Sequence, residues 1–371
     1  MNRESSSKTI RIEALDTLFF RDGRPFAKGE ETWGWGMFPP VPSVLYGALR
    51  SVYFSGDIGK LPMANERNDP TGKLELTGSY ISIENLSYFP LPLDCVQFKD
   101  AQKDEEDRVF VLNLFENNDG INSCPNGWIL KYSGNRPVAA VEGSLISKTE
   151  LFKYKISKTE LFKYLKTGQG PLTISRISKH LKSEAKIGNA LSRATRRAED
   201  EMLYRVGMFR PKGLNLMVKF KGLEIPERGL MKLGGEGKAA FYERVENEDF
   251  SADIEISDNR FKLYFAAPAI FKKGWLPSWI DVDENGSFKG NYKGVRIRLL
   301  AAAVGKPLYV GGFDIKAKRP KPMFRSVPAG SVYYFQLEEG SISRVIDFFH
   351  NKTVSDYYQA QGFGWALIGR V

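Results

Sequence analysis

Only two histidines, His180 and His350, are available for general acid–base chemistry near neutral pH. His180 lies among lysines in SKHLKSEAK. His350 ends a short helical stretch, where an imidazole commonly serves the helix end. Cys95 and Cys124 are the only cysteines, and neither belongs to a CxxC pair. That spacing excludes a structural zinc site. It allows one Cys95–Cys124 disulfide, with a reduced cytoplasmic protein as the simpler reading. No cofactor motif is present. LGGEGK at Leu233–Lys238 lacks the GK[ST] of a P-loop and the spacing of a dinucleotide fingerprint, and reads as a glycine hairpin turn. The expectation is a protein without enzymatic activity, metal or cofactor.

Cations are the chemistry this chain has in quantity. Lys186 opens KIGNALSRATRRAEDEMLYRVGMFR, in which Arg193, Arg196 and Arg197 crowd ahead of Glu199, Asp200 and Glu201. KAKRPKPMFR adds Lys318, Arg319, Lys321 and Arg325 on a proline-broken loop. Arg176 to Lys221 carries a net charge of +8, and so does Lys293 to Arg325. The whole chain is +10, so the remainder is net negative. Such concentration favours a polyanionic partner over a uniformly solvated surface. Aromatic residues interleave with the cations at Tyr204-Arg205, Phe209-Arg210 and Phe324-Arg325. Core packing is the competing role for Tyr204 and Phe209.

The elements that must position these residues are mostly strands. With 371 residues and 42% hydrophobic content, the chain can fill one large or two ordinary cores. Thr9–Leu15 alternates as a strand and leads through Phe19-Phe20 to Arg21, a DG turn and Arg24. After the breaker PPVP, Ser43 reads as the N-cap of a helix over Val44–Tyr53. Its free amides could hold a phosphate, although capping alone accounts for the serine. Thr77–Leu86 reads as a strand pair, Lys99–Arg108 as an exposed loop, and Val109–Lys131 as irregular. Met202–Val206, Leu214–Phe220, Arg260–Ala267, Val295–Ala303, Pro307–Asp314 and Gly330–Leu337 read as strands, and Ser341–His350 as a short helix. The terminal GFGWALIG is a turn at Gly362 and Gly364 followed by a strand.

One repeat interrupts this order. Ile146–Lys155 and Ile156–Leu165 match at nine of ten positions. Ten residues do not complete whole helical turns, so on one helix the second copy would be rotated by roughly 80°. The copies cannot bury one common face. The second runs into a Gly168 stop and is the structural copy, which leaves the first dispensable.

LDTLFFRDGRPF, FPPVPSVLYGALRS, KIGNALSRATRRAEDEMLYRVGMFR, LGGEGKAAFYE, GGFDIKAKRPKPMFRSVPAGSVYYF and GFGWALIG, in that order, resemble the RAMP superfamily of CRISPR effector proteins. Together they are most similar to the Cmr-type (type III-B) subunit that holds the 5′ end of the guide. The resemblance runs from about Thr9 to the C-terminus, with the repeat as its main departure. It implies an α+β fold of two ferredoxin-like (RRM-like) domains with large loop insertions, here 1–255 and 256–371. It implies binding of the crRNA 5′ handle, docking on the large polymerase/cyclase-like subunit and on a backbone RAMP subunit, and no nuclease role. Carried over by position, the RNA contacts fall on Arg21, Arg24, Ser43, Gly362 and Gly364, beside the cations named above.

Three functions fit these residues. The first is a non-catalytic guide-binding subunit of a Cmr complex, or its counterpart in a type III-A (Csm) complex. The second is a RAMP-type endoribonuclease using His180. The third is a scaffold whose cations face an acidic protein, which would show no salt-dependent RNA affinity. The N-terminus lacks the apolar core of a signal peptide. No apolar run reaches the ~18 residues of a membrane span. A cytoplasmic protein is expected.

Overall fold

The computed structural model describes residues 7–21, 33–34, 36–102, 105–117, 127–141, 154–191, 198–251, 254–256, 258–314 and 319–371. Two antiparallel sheets carry the fold. The first has eleven strands in the order Arg228–Lys232, Ala239–Val245, Lys8–Ala14, Leu214–Lys221, Glu75–Ile83, Leu86–Pro90, Tyr154–Ser157, Leu172–Arg176, Arg108–Val111, Cys95–Phe98 and Val138–Ala140. The second has seven: Ile280–Val282, Phe288–Tyr292, Val295–Ala303, Val332–Glu339, Arg260–Phe265, Trp365–Arg370 and Lys352–Thr353.

Apolar alternation places each strand. Ile10 and Ile12 on the first strand, Leu216 and Val218 on its neighbour, and Ile81 and Ile83 beyond it are all buried on one side. Helix α1, Pro42–Gly56, covers that side with Leu45, Ala48, Leu49 and Val52. Fully burying one leucine such as Leu49 contributes about 2 kcal/mol. Helix α3, Ile342–Phe349, covers the second sheet with Val345 and Phe349. The remaining faces of the two sheets meet each other and helix α2, Lys158–Thr167. Trp365 from the terminal strand packs among Tyr80, Phe89 and Phe250, tilted against the first two and edge-on to the third. Its ring lies 3.0 Å from where a Cβ on Gly78 would be, so any larger residue there would crowd the indole.

A polar cluster is buried inside this apolar interface. The Asp94 carboxylate accepts hydrogen bonds from the Tyr164 hydroxyl at 2.6 Å and the Tyr334 hydroxyl at 2.5 Å. The ammonium of Lys262, fully buried, lies 3.5 Å from the centre of the Tyr164 ring. Burial lowers the Lys262 pKa to about 8, against the attraction of Asp94. Cys95 is a buried free thiol beside Asp94, and burial pushes its pKa up.

Several expectations change. Helix α1 starts at Pro42 with Val41 as N-cap, so Ser43 is not the cap but a residue of the first turn. Proline at the first helical position has its φ already set and lacks an amide that would go unpaired there. The span from Val109 to Lys131 is not simply irregular. It holds strands Arg108–Val111, Asn113–Glu116 and Trp128–Lys131, each of four residues and too short to show a period. The first repeat copy reaches into the fold at its end. Residues 146–153 lie outside the described residues, but Tyr154 and Lys155 end that copy inside the strand Tyr154–Ser157. The second copy behaves as read: Ser157 accepts from the Glu160 amide at 3.3 Å, and Gly168 closes helix α2 at φ 70°. Among the described residues no helix is long and apolar enough to cross a membrane.

Removing the charge of Asp94 strands Lys262. Asp94→Asn is expected to lower the unfolding free energy by about 3–5 kcal/mol. Lys262→Met added to it should return much of that loss, as denaturant melts of the three proteins will show. The pH dependence carries a sign. Lys262 titrates lower in the fold than in the unfolded chain, where lysine sits near ~10.4. Between those values the unfolded chain binds the extra proton, so stability rises with pH. Between about pH 8 and pH 9.5 the rise from this group is about 1.5 kcal/mol, and Lys262→Met should remove it.

Candidate nucleic-acid interface

Four chain segments meet around one small apolar cluster. Met37 and Val41 come from the approach to α1, Ile270 from the turn after Arg260–Phe265, and Leu308 and Val310 from a hairpin strand. Phe363 comes from the terminal glycine loop, and all six are buried. The hairpin pairs Leu308–Val310 with Phe324–Ser326. Phe324 and Tyr358 lie half-buried across the cluster, 5.5 Å apart between ring centres.

Outside this cluster the side chains become cationic and aromatic. Arg319, Lys321 and Arg325 are exposed on the hairpin. Arg325 lies 6.0 Å from the Tyr309 ring centre on the paired strand. Tyr357 packs at 4.9 Å from Phe324. Tyr309, Tyr357 and Met323 all keep more than a third of their surface exposed. Open rings beside guanidinium and ammonium groups suit a single-stranded nucleic acid, which offers phosphates to the cations and base faces to the rings.

The structure brings together some of the residues expected from the sequence. The Ser43 turn, Gly362 and Gly364, and the Arg319–Arg325 hairpin all border the apolar cluster. Arg21 and Lys186 belong to an adjoining region. Arg21 bridges to Gly36, and Lys186 is exposed on the long hairpin Leu181–Leu191/Ala198–Pro211. Lys186 lies 3.9 Å from Glu236 of the glycine turn. That turn closes with the Leu233 amide donating to the Lys238 carbonyl at 2.9 Å, a hairpin turn as read. Arg24, Arg193, Arg196, Arg197 and Lys318 lie outside the described residues.

Both terminal glycines have positive φ, +93° at Gly362 and +74° at Gly364. Their close neighbours belong to this chain. A Cβ at Gly364 would sit 2.2 Å from the Val354 carbonyl oxygen, and one at Gly362 3.0 Å from Leu76. Phe209 is core, and Arg210 is engaged by Glu184 at 2.6 Å and Asp16 at 3.0 Å. His350 is buried: Nε2 meets the Phe250 carbonyl at 3.0 Å, while Nδ1 accepts from the Ile368 amide at 3.3 Å. Those partners fix the neutral Nε2–H form, and burial lowers its pKa. Sequence reasoning missed Tyr309 and Tyr357, for which no periodic or motif signal exists.

The family model for the CRISPR-associated protein Cas_Cmr3 matches residues 10–371. No curated protein matches the sequence. A chain in the cryo-EM structure of the Type III-B Cmr-beta bound to cognate target RNA aligns with 96% of this chain and 95% of its own, at TM-score 0.51 and 16% identity. At that identity the likeness is one of fold. A chain from the AMPPnP-bound state 1 of Cmr-beta with cognate target RNA follows at TM-score 0.44 and 16% identity, covering 92% and 88%. One from the Csm3-Csm4 subcomplex of the type III-A interference complex has TM-score 0.39 and 11% identity, covering 91% and 96%.

Because the contact at Gly364 is internal backbone, Gly364→Val should lower the melting temperature by several degrees with no RNA present. A variant that melts like the wild type would show that the loop relaxes and that Val354 does not require the glycine.

Proposed function

This chain belongs to the CRISPR-associated Cas_Cmr3 family, and from that premise we propose that it is a non-catalytic RNA-binding subunit of a type III-B (Cmr) interference complex. It holds the 5′ handle of crRNA and docks on the large polymerase/cyclase-like subunit and a backbone RAMP subunit. The observation that carries the reading is the exposed hairpin that sets Arg319, Lys321 and Arg325 near the open ring of Tyr309, over a buried apolar cluster. The domains are 1–255 and 256–371, each ferredoxin-like. Strand order supports this division. In the first sheet Ala239–Val245, Lys8–Ala14, Leu214–Lys221 and Glu75–Ile83 lie side by side, which is the order 4-1-3-2. In the second, Trp365–Arg370, Arg260–Phe265, Val332–Glu339 and Val295–Ala303 repeat it. The first unit has its helix α1 after strand one, and the second its helix α3 after strand three.

RNA cannot be bound here as on an open RRM sheet, because the inner sheet faces are buried against each other and α2. Contacts therefore fall on loops and hairpins. The non-catalytic assignment is supported by His350, whose two ring nitrogens are both committed inside the fold.

The test is fluorescence anisotropy with a single-stranded RNA over a salt series. Replacing Arg319, Lys321 and Arg325 together by alanine should weaken binding and flatten the log–log salt slope by about 0.7 for each phosphate no longer neutralised. An unchanged slope would assign these cations to a protein partner. The same RNA, incubated with the chain with and without divalent metal, should keep its length on a gel. Cleavage that disappears in His180→Ala would overturn the non-catalytic reading.

A further inference from the structure

One edge of the first sheet is open. Arg228–Lys232 is its outermost strand and pairs on one side only, with Ala239–Val245. At one end of this hairpin the Leu233 amide donates to the Lys238 carbonyl, and at the other the Arg244 amide donates to the Glu227 carbonyl. Antiparallel pairs alternate between bonded and unbonded. Gly229 and Met231 therefore bond inward. The amides and carbonyls of Arg228, Leu230 and Lys232 point away from the sheet and meet no partner among the described residues.

The side chains alternate in step. Met231 is buried in the core beneath α1, while Arg228, Leu230 and Lys232 are exposed on the opposite face. Leu230 keeps 65% of its surface, with half-buried Phe241 beside it in register. Leu15, 59% exposed, joins the same face. Its amide donates to the carbonyl of Ala239, which stands opposite Lys232. An edge that only resists aggregation carries charge and keeps large apolar side chains inward. Two open leucines beside an unpaired backbone edge mark a contact surface instead.

The charges select the occupant. Arg228 and Lys232 flank Leu230 on one face, and neither forms an ion pair among the described residues. Glu243, opposite Arg228, is engaged by Arg11. A second copy of this chain pairing about Leu230 would set Arg228 against Lys232, like charges directly opposed. A phosphate chain would satisfy the cations but leave the leucines and the backbone groups between them unmatched. An extended peptide with an apolar residue between two carboxylates matches all three.

We propose that the Arg228–Lys232 edge docks an extended acidic segment of a partner protein, which adds to the first sheet as a further strand. The inference deepens the docking part of the reading above and rests on it.

Two experiments test it. Hydrogen exchange is followed in the full chain, alone and within the purified effector complex. Alone, the amides of Arg228, Leu230 and Lys232 should exchange faster than those of Gly229 and Met231. In the complex they should slow by about tenfold or more. A chain that assembles with these amides still fast overturns the proposal and leaves docking intact. A chain that joins no complex defeats both. The second experiment titrates the full chain with the acetylated peptide Thr-Glu-Thr-Leu-Thr-Glu-Thr at low salt. It should bind about tenfold more tightly than the same peptide with lysine for glutamate. Arg228→Glu combined with Lys232→Glu should reverse that preference, a gain that a misfolded variant could not show. N-methylation of the Glu and Leu amides, or of the Thr amides, should abolish binding in one case and leave it in the other, since only one set can face the edge. No binding, no charge preference, or equal effects of the two methylations would each overturn strand addition.

Discussion

The buried carboxylate of Asp94 sets the relation between the two sheets. Its donors come from opposite sides of the interface: Tyr164 from helix α2, and Tyr334 from a central strand of the second sheet. Lys262 approaches from the neighbouring strand of that sheet. A charge inside an apolar core is unfavourable unless donors and a countercharge surround it, and all must then be placed together. Sliding one sheet past the other by a single residue would separate the carboxylate from a tyrosine. An apolar interface alone would tolerate such slippage more easily. Nearby backbone contacts reinforce the register. The Leu93 amide donates to the Gly330 carbonyl at 2.8 Å, and a Cβ on Gly330 would lie 2.4 Å from the Leu91 carbonyl.

This register governs where RNA could bind. Since the sheets bury their inner faces and α1 and α3 cover the outer ones, what stays open is the rim. At the rim the Arg319–Arg325 hairpin, the α1 approach and the terminal loop converge only because Trp365–Arg370 pairs with Arg260–Phe265 in fixed alignment. The Gly364 amide donates to the Pro268 carbonyl at 2.7 Å, which ties the loop to the end of that strand. The terminal glycines thus build the platform, and side chains from other segments face outward from it.

How much of this could be read in the sequence depended on the range of the interaction. Alternation over Thr9–Leu15 and Leu214–Phe220 announced strands because each buries one face over several residues. Ser157, Glu160 and Gly168 marked their helix because caps are local. The Ser43 cap was misread because PPVPS offers two starts, and the proline geometry prevailed. The four-residue strands near Val109–Lys131 were hidden by their length. Asp94, in the plain stretch LPLDC, gave no sign of its role, because its partners lie 70 and 240 residues away. The hairpin cations were visible as charge, but not the approach of Arg325 to Tyr309 or of Tyr357 to Phe324, which depend on strand register and on the loop before the terminal strand.

The repeat shows how tertiary context decides structure for one local sequence. The Phe-Lys-Tyr-Leu of the second copy ends a helix whose Leu165 packs on Gly369, where a Cβ would be 2.9 Å from the leucine side chain. The Tyr-Lys of the first copy instead enters a strand, with Lys155 opposite Pro90 on one side and Ser175 on the other. Sequence preference cannot separate these outcomes, since the segments are nearly identical. Neighbours do: the edges of Leu86–Pro90 and Leu172–Arg176 flank the first, and the terminal strand receives the second. The repeat therefore supplies both a helix and part of a strand, and its one divergent side chain is buried in that strand. In a purely structural role, leucine would serve at that site as it does ten residues later. Lys155 instead leaves a buried amine without a hydrogen-bond partner among the described residues, and burial holds its pKa well below the ordinary lysine value.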